Sequence, residues 1–279
     1  MKLVTFERGG TPQTGVVVGD HVFATGFAGS MIDLIAAWDD LRGKIETAAT
    51  KGERHALASV HLLAPVPRPG KIFAIGLNYA DHIAESKMET PQHQVWFTKA
   101  ASAVNGPFDP ILIARAGQYV DYEVELAVVI GKRGRNIAKA DAPSHVFGYC
   151  VGNDVSERMW QHRTAQWSLG KSFDTHAPFG PWITTADEIA DPHALGLRCF
   201  VNGQKRQDSS TRHLVFDIWQ QIEHLSQAMT LEPGDLIFTG TPGGVGAAME
   251  PRQFLKPGDV VRCEIDALGA IEAKMAAEE

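Results

Sequence analysis

The sequence predicts a mainly β (α+β) fold, namely a β-roll or barrel-like sandwich preceded by a small N-terminal α+β domain. Three observations support this prediction: short apolar stretches of strand length are frequent, turn sequences such as Asn202-Gly203 separate them, and helical patterns are few. The regular alternation of strands and helices that indicates a doubly wound sheet is missing. With 279 residues, 44% of them hydrophobic, the chain is long enough to bury a large core.

Residues 1–65 are expected to form the small domain. The stretches 2–6 and 16–23 alternate in polarity and are separated by glycine turns, which indicates β-hairpins. Residues 30–57 are expected to be helical because their apolar residues recur at three- and four-residue spacing. Proline at 65, 67 and 69 is incompatible with a continuing helix. We therefore place a linker at 66–70 and the main domain at 71–279.

The main domain is expected to be rich in strands. A helix is expected over residues 214–230, where Ile218, Ile222, Leu225 and Met229 lie on one stripe. The predicted strands are 72–75, 94–98, 119–130, 146–151, 198–201, 236–239 and 260–265.

Composition restricts the partners and the location. A net charge of −7 disfavours nucleic acid as a partner, because nucleic-acid binding usually needs a basic surface. The sequence has no apolar run long enough for a membrane span and no signal-peptide pattern at its start. Cys150, Cys199 and Cys263 are dispersed and are interpreted as reduced, buried thiols. These features predict a cytoplasmic protein without a membrane partner.

Two glutamates near the middle of the chain are the first candidate ligands. Glu123 and Glu125 lie at the start of the apolar stretch 124–130 and are two residues apart. On a strand this spacing puts both carboxylates on one face, about 6–7 Å apart. Acidic side chains beside an apolar strand need compensation, for which a divalent cation is the natural candidate. The alternative is the solvated face of an edge strand.

A third carboxylate follows another apolar strand. Asp154 ends the stretch 147–153. Two glutamates and an aspartate form an all-oxygen ligand set, which favours Mg²⁺, Mn²⁺ or Ca²⁺ over Zn²⁺. Water or substrate would complete the coordination of such a cation.

Three other segments carry residues with catalytic potential. His82 and Glu85 share a helix face if their segment is helical, which suggests a general-base pair, although an exposed surface pair has the same spacing. Lys171 is either a surface lysine or the cation that holds an anionic substrate. Its Ser168-x-x-Lys171 context lacks the partner motifs of a serine acyl-enzyme. Thr241 lies in a glycine-rich turn that either approaches a ligand or serves turn geometry alone.

Taken together, the motifs resemble the fumarylacetoacetate hydrolase family, particularly its acylpyruvase and diketo-acid hydrolase branch. The match extends over about residues 70–270, and the small domain also resembles the N-terminal segment of many bacterial members. The motifs occur in the family's order: 75–79 with His82 and Glu85, 121–126, 152–156, 170–174, 201–203 and 234–242.

The resemblance implies a mixed β-sandwich roll of the family's C-terminal domain type, a homodimer, and Mg²⁺ or Mn²⁺ as cofactor, with Ca²⁺ as a possible substitute in crystals. It assigns the metal to Glu123, Glu125 and Asp154. It assigns His82 and Glu85 to a water-activating dyad on a lid, and Lys171 to the developing oxyanion. The substrate contacts that it implies are Tyr79, Arg158, Gln161 and Thr241.

The implied activity is hydrolysis of a carbon–carbon bond in a 2,4-dioxo acid, giving a 2-oxo acid and a carboxylic acid. Candidate substrates are acylpyruvates such as maleylpyruvate or fumarylpyruvate, and diketo-deoxy sugar acids. The alternatives are a decarboxylase, isomerase or hydratase that acts on a 2-oxo dicarboxylic acid through a cation-stabilised enolate, and a catalytically silent binding protein. Met159 departs from the family's usual aspartate, with Trp160 beside it. This departure leaves the substrate open.

Overall fold

The computed structural model describes residues 1–86 and 89–279, except for the side chains of His82, Ala84 and Ser86. Helices α1 (Met31–Ala36) and α2 (Trp38–Lys51) show that the helical pattern expected over 30–57 is interrupted at Ala37 and ends before Gly52. The N-terminal strands are β1 (Lys2–Arg8), β2 (Thr11–Val18), β3 (His21–Ala24), β4 (Arg54–Ala56) and β5 (His61–Leu63).

The rest of the described chain is mostly strand, as expected. Its helices are α3 (Ala80–Ser86), α4 (Arg158–Gln161) and α5 (Ile218–Ala228). Its strands are β6 (Ile72–Gly76), β7 (Val95–Thr98), β8 (Val104–Asn105), β9 (Ile111–Ile113), β10 (Val120–Asp121), β11 (Val124–Ile130), β12 (Val146–Asn153), β13 (Ser156–Glu157), β14 (Ala177–Thr185), β15 (Gly196–Val201), β16 (Gln204–Ser210), β17 (Leu236–Phe238), β18 (Val260–Ile265) and β19 (Gly269–Ala277).

Two predicted elements are shorter than expected. The strand predicted over 119–130 is interrupted at residues 122–123, which separates β10 from β11. Helix α5 begins at Ile218 because Asp217 caps it: the Asp217 carboxylate accepts from the Gln220 amide at 2.8 Å, and the Gln220 side chain accepts from the Asp217 amide at 2.9 Å. This capping box satisfies backbone N–H groups at the first turn and so sets the start of the helix at Ile218.

The strands form a large mixed sheet, a smaller mixed sheet and a two-stranded pair. The large sheet has the order β4-β3-β2-β1-β14-β12-β11-β17-β6-β7, with β5 beside β1 and β8 beside β14. The smaller sheet has the order β16-β15-β18-β19-β9, and β10 pairs with β13. Most neighbours are antiparallel, whereas β17–β6, β14–β8 and β19–β9 are parallel. The predicted mixed β-sandwich roll is confirmed.

Strand β11 is buried on both faces, which explains its continuous apolar sequence. Leu126 and Val128 pack toward the smaller sheet and helix α5. Ala127 and Val129 belong to a second cluster that includes Leu34 of α1 from the N-terminal part. One sheet and one apolar cluster thus extend across the linker at 66–70, and the domain boundary placed there stays a prediction.

A buried histidine connects β9 to the chain just before β14. His176 is fully buried, and its Nε2–H donates to the Leu112 carbonyl at 2.9 Å. Its Nδ1 has no hydrogen-bond partner among the described residues. Burial lowers the pKa of His176 to about 4, so the folded protein favours the neutral imidazole.

This histidine is expected to make stability fall in acid. Because its pKa is lower in the folded than in the unfolded chain, its contribution is complete above about pH 6.5 and is lost progressively as the pH falls toward 4, up to about 3 kcal/mol. His176→Gln keeps an N–H donor for Leu112 but does not titrate. Urea unfolding near pH 7.5 and pH 4.5 should therefore show a smaller acid loss for this variant. Equal losses in the two proteins would contradict the prediction.

Candidate metal centre and active-site cavity

The pairing of β11 with β12 brings three carboxylates together. Glu125 lies opposite Gly152 in this antiparallel ladder, and the Asp154 amide donates to the Glu123 carbonyl at 2.9 Å. Glu123 and Glu125 therefore share one face, and Asp154 joins them from the neighbouring strand. One ligand oxygen from each of the three lies within 4.8 Å of the others. The side chains are almost fully buried, which excludes the solvated edge-strand alternative.

Local hydrogen bonds explain why the chain leaves the regular ladder here. The Glu123 amide donates to the Asn153 side chain at 3.0 Å, and the Val124 amide donates to the Gln207 side chain at 2.9 Å. Side-chain acceptors thus replace ladder partners at the interruption between β10 and β11. These two hydrogen bonds fix the backbone conformation at Glu123 and Val124, next to Glu125.

Two buried lysines and an arginine surround the cluster. Lys171 Nζ lies 2.6 Å from Glu123 Oε2 and 2.6 Å from Asp154 Oδ2. Lys99 Nζ lies 2.5 Å from Asp154 Oδ1, and Arg158 Nη1 lies 2.7 Å from Glu123 Oε1. Lys171 is only 2% exposed, so the interpretation as a surface lysine is wrong. Lys99 was not identified from the sequence, where a lysine directly after an apolar strand is the sole signal.

The two lysines respond differently to this environment. Burial opposes the charge of Lys171, but Asp154 and Glu123 outweigh it, and the pKa of Lys171 lies above its ordinary value. Burial dominates at Lys99 and lowers its pKa despite the contact with Asp154. Both pKa shifts follow from the low polarity of the site, where burial disfavours the charged ammonium and nearby carboxylates favour it.

Glu125 is the carboxylate that forms no ion pair with a described residue. Among the described residues its hydrogen-bond donor is the Gly240 amide, at 2.7 Å from Oε2. Burial, followed by the charges of Asp154 and Glu123, raises the pKa of Glu125 well above its ordinary range. The three buried carboxylates offer oxygen ligands, and one of them, Glu125, forms no ion pair with a described residue. This combination fits a divalent cation. Glu123, Glu125 and Asp154 would hold it.

Asp121, a residue that was not predicted to belong to the site, binds the guanidinium of Arg158. Arg158 Nε and Nη2 lie 2.9 and 2.8 Å from Oδ2 of Asp121, which is fully buried. Arg158 Nη1 also donates to Gln161 Oε1 at 2.9 Å. The guanidinium is therefore bound by Asp121, Glu123 and Gln161. The amide nitrogen of Gln161 makes no hydrogen bond with a described residue and remains available as a donor.

Glu123 and Glu125 line a cavity of about 630 Å³, whereas Asp154 is fully buried and is not part of the lining. Of the predicted site residues, the cavity lining contains Glu85, Glu123, Glu125, Arg158, Gln161, Lys171 and Thr241. Tyr79 is not part of this lining. It is fully buried in the core, and its hydroxyl has no hydrogen-bond partner among the described residues. Substrate contacts by Tyr79, Arg158, Gln161 and Thr241 remain predictions.

Thr241 and its turn support the acidic cluster. The Thr241 hydroxyl donates to the Val124 carbonyl at 3.0 Å and accepts from Gln207 Nε2 at 2.8 Å. Gly240 has a φ of 101°, and a Cβ there would lie 2.8 Å from that of Asn78. Glycine is required at this turn, which presents the amide that binds Glu125.

Helix α3 places Glu85 at the cavity. Glu85 is exposed, and its Oε2 accepts from the Gly244 amide at 2.9 Å. His82 lies three residues earlier in the same helix, but its side chain is outside the described residues. The His82–Glu85 dyad therefore remains a prediction.

The sandwich roll and its buried carboxylate cluster define a mainly β protein with an all-oxygen site suited to a divalent cation. Residues 71–276 match the family described as "Fumarylacetoacetate (FAA) hydrolase C-terminal", and residues 1–65 match one described as "Rv2993c-like, N-terminal". The chain belongs to the fumarylacetoacetate hydrolase family. The family predicted from the motifs is thus confirmed.

Individual relatives differ in the reaction that they are named for. The chain is 44% identical over 290 residues to "Oxaloacetate tautomerase fahd2, mitochondrial" of Xenopus laevis, which covers 97% of this chain and 89% of the relative. It is 38% identical, with a TM-score of 0.86 and full coverage of both chains, to maleylpyruvate hydrolase from Sphingobium sp. SYK-6 in complex with manganese(II) and pyruvate. A 5-carboxymethyl-2-hydroxymuconate delta-isomerase from Mycobacterium smegmatis is 33% identical, with a TM-score of 0.82 and full coverage of both chains.

No helix in the described part of the chain is both long and apolar enough to span a membrane.

Proposed function

We propose that this protein is an enzyme dependent on Mg²⁺ or Mn²⁺ that interconverts the enol and keto forms of a 2-oxo dicarboxylic acid of the oxaloacetate type. The observation that carries the proposal is the cluster of Glu123, Glu125 and Asp154, whose two glutamates line the cavity, with Lys171 against Glu123 and Asp154. The 44% identity to an oxaloacetate tautomerase over nearly the whole chain supports this reaction.

The three carboxylates would hold the cation beside the 2-oxo acid end of the substrate. A divalent cation there supplies Lewis-acid chemistry, which stabilises negative charge on the 2-oxo group. The Lys171 ammonium, buried beside Glu123 and Asp154, adds positive charge to the same region. The amide nitrogen of Gln161, which makes no hydrogen bond with a described residue, offers a donor for a carboxylate oxygen of the substrate.

Tautomerisation also needs a proton to move between the substrate's oxygen and its third carbon. We assign this transfer to His82, with Glu85 as its orienting partner. The Gly244 amide donates to Oε2 of Glu85, which places this carboxylate at the cavity lining, three residues from His82 on α3. A positioned acid–base group contributes about 10²–10⁴-fold to a rate, and the contribution to tautomerisation is expected at the lower end because solvent also exchanges protons with an enolate.

The proposal is tested by mixing the enol form of oxaloacetate with the protein and following the loss of the enol's ultraviolet absorbance. We expect acceleration with Mg²⁺ or Mn²⁺ and none after chelation. A heat-denatured sample with the same cation is the control for catalysis by the free ion. If the native protein does not exceed this control, the tautomerase proposal is wrong.

Hydrolysis of a 2,4-dioxo acid is the second candidate. It is favoured by Glu85 at the cavity and by the similarity to a maleylpyruvate hydrolase whose complex contains manganese and pyruvate. In this reaction His82, oriented by Glu85, takes a proton from water, and the hydroxide adds to the fourth carbon. Lys171 stabilises the oxyanion, and breakage of the bond between the third and fourth carbons gives a 2-oxo acid and a carboxylic acid. Decarboxylation and hydration remain related alternatives.

His82→Ala distinguishes the two candidates. Hydrolysis requires an activated water and should fall by about 10²–10⁴-fold. Tautomerisation should fall less, because solvent can exchange protons with an enolate but cannot readily replace a positioned hydroxide. Parallel assays with enol-oxaloacetate and acetylpyruvate measure both rates. Equal losses would contradict this distinction.

A catalytically silent binding protein would show neither activity. The predicted homodimer and the predicted absence of nucleic-acid and membrane partners remain predictions.

A further inference from the structure

A firmly anchored loop forms part of the cavity wall. Residues 246–255 are closed by two backbone hydrogen bonds, from Gln253 to Gly246 at 3.0 Å and from Leu255 to Val120 at 2.8 Å. The Phe254 ring also packs on the Tyr119 ring, with centroids 5.0 Å apart. The backbone of this loop therefore has a defined position at the cavity.

Asp121 connects this loop to the acidic cluster. Its Oδ1 accepts from the Gly246 amide at 2.8 Å, and its Oδ2 accepts from the Ala247 amide at 3.0 Å. The same carboxylate binds the guanidinium of Arg158, which in turn contacts Glu123. One buried side chain thus fixes the loop relative to the residues around the predicted cation.

Arg252 is the loop's cation, and it differs from the other positive groups of the cavity. Lys171 and Arg158 are bound by carboxylates, whereas Arg252 is exposed and makes no hydrogen bond or ion pair with any described residue. This holds even though Glu250 lines the same cavity. The guanidinium is therefore available to a ligand.

His162 also lines this cavity. Its ring makes no hydrogen bond with a described residue, and it follows directly after α4. His162 is exposed, and its partial burial, followed by the nearby charges of Arg158, Lys171 and Arg252, lowers the pKa of His162. Arg252 and His162 line one cavity, and the imidazole offers a further N–H donor there.

We infer that Arg252 and His162 form a second anion-binding subsite, at the exposed side of the cavity, for the distal carboxylate of a 2-oxo dicarboxylic acid. The inference rests on the proposed function, which places the 2-oxo acid end at the buried carboxylate cluster. A cavity of about 630 Å³ falls within the range of about 300–1,000 Å³ that holds whole small-molecule ligands. A guanidinium recognises a carboxylate through paired hydrogen bonds.

The test compares ligands that differ only in the distal group. Calorimetry with the Mg²⁺-loaded protein measures 2-oxoglutarate against 2-oxopentanoate, and 2-oxoadipate against 2-oxohexanoate. In at least one pair the wild-type protein should bind the dicarboxylate about tenfold more tightly. Arg252→Gln should remove this preference and leave binding of the monocarboxylates unchanged. Arg252→Lys should retain part of the preference, because it keeps the charge but not the fork of donors.

Arg68→Gln is the matched control, since Arg68 is exposed and does not line the cavity. It should retain the wild-type preference. If Arg252→Gln keeps the preference, or if wild-type protein shows none in either pair, the subsite is wrong while the proposed function stands. If no 2-oxo acid binds the Mg²⁺-loaded wild-type protein, the proposed function and this inference both fail.

Discussion

Replacing Asp154 with asparagine is expected to abolish divalent-cation binding and to lower the free energy of unfolding of the cation-free protein by about 3–5 kcal/mol. The reason is that Asp154 has two functions in the cluster. It offers one of the three oxygens that would hold the cation, and its carboxylate lies against the ammonium groups of Lys99 and Lys171, both of them buried. Asparagine leaves these two positive charges without their shared partner. Urea unfolding in chelator measures the stability loss, and calorimetry with Mg²⁺ or Mn²⁺ measures the binding.

Asp174→Asn provides the control for this prediction. Asp174 is exposed and lies three residues after Lys171, so the same chemical change there should leave stability and cation binding unaltered. Unchanged stability in Asp154→Asn would mean that the buried lysines do not depend on this carboxylate.

Replacing Glu125 with glutamine should abolish cation binding to the same extent but have the opposite effect on stability. Glu125 has no cationic partner among the described residues, and its pKa is raised first by burial and then by Asp154 and Glu123. The glutamine oxygen can still accept from the Gly240 amide, while its amide group can donate to a neighbouring carboxylate. We expect the cation-free variant to be more stable than the wild-type protein by about 1–3 kcal/mol near neutral pH.

The pH dependence gives this prediction a second readout. Because the pKa of Glu125 is raised in the folded protein, its contribution to stability is lost as the pH rises above the ordinary range of a carboxyl group. The advantage of Glu125→Gln in chelator should therefore grow between about pH 5 and pH 8. A variant that is less stable than the wild-type protein throughout this range would show that Glu125 is compensated in the cation-free state.

Much of the metal centre could be predicted from the sequence because it depends on local geometry. The two-residue spacing of Glu123 and Glu125 determines that they share a face of a strand, whatever the strand pairs with. Placing Asp154 beside them required the pairing of β11 with β12, which sequence separation alone does not give. The family motifs supplied that missing information.

Lys99 and Asp121 could not be assigned in this way. Each acts through a partner distant in sequence: Lys99 contacts Asp154, and Asp121 contacts Arg158 and the amides of the loop at 246–247. A charged residue at the end of an apolar strand has the same local pattern whether it is buried or exposed. Only the tertiary pairing decides between the two.

Some strands were missed for a related reason. The predicted strands did not include β14 or β19. Residues of β14 include Pro178, Gly180 and Pro181, which locally indicate turns, and β19 is rich in alanine and begins with glycine. β14 pairs with β12 and β1, and β19 pairs with the distant strand β9 as well as with its hairpin neighbour β18. In such strands the neighbouring backbone outweighs the local preference.

The large sheet contains strands from both residues 1–65 and residues 71–279. Either segment alone would therefore leave part of the sheet unpaired and part of its apolar face exposed. Leu3 pairs with Ile183, and Trp38 of α2 packs edge-on against Phe147 of β12, with ring centroids 5.0 Å apart. A fragment that starts at the linker would expose an unpaired strand edge together with the apolar side chains that Trp38 covers. Such surfaces promote aggregation, so a fragment without the N-terminal segment is expected to aggregate more readily than the full chain.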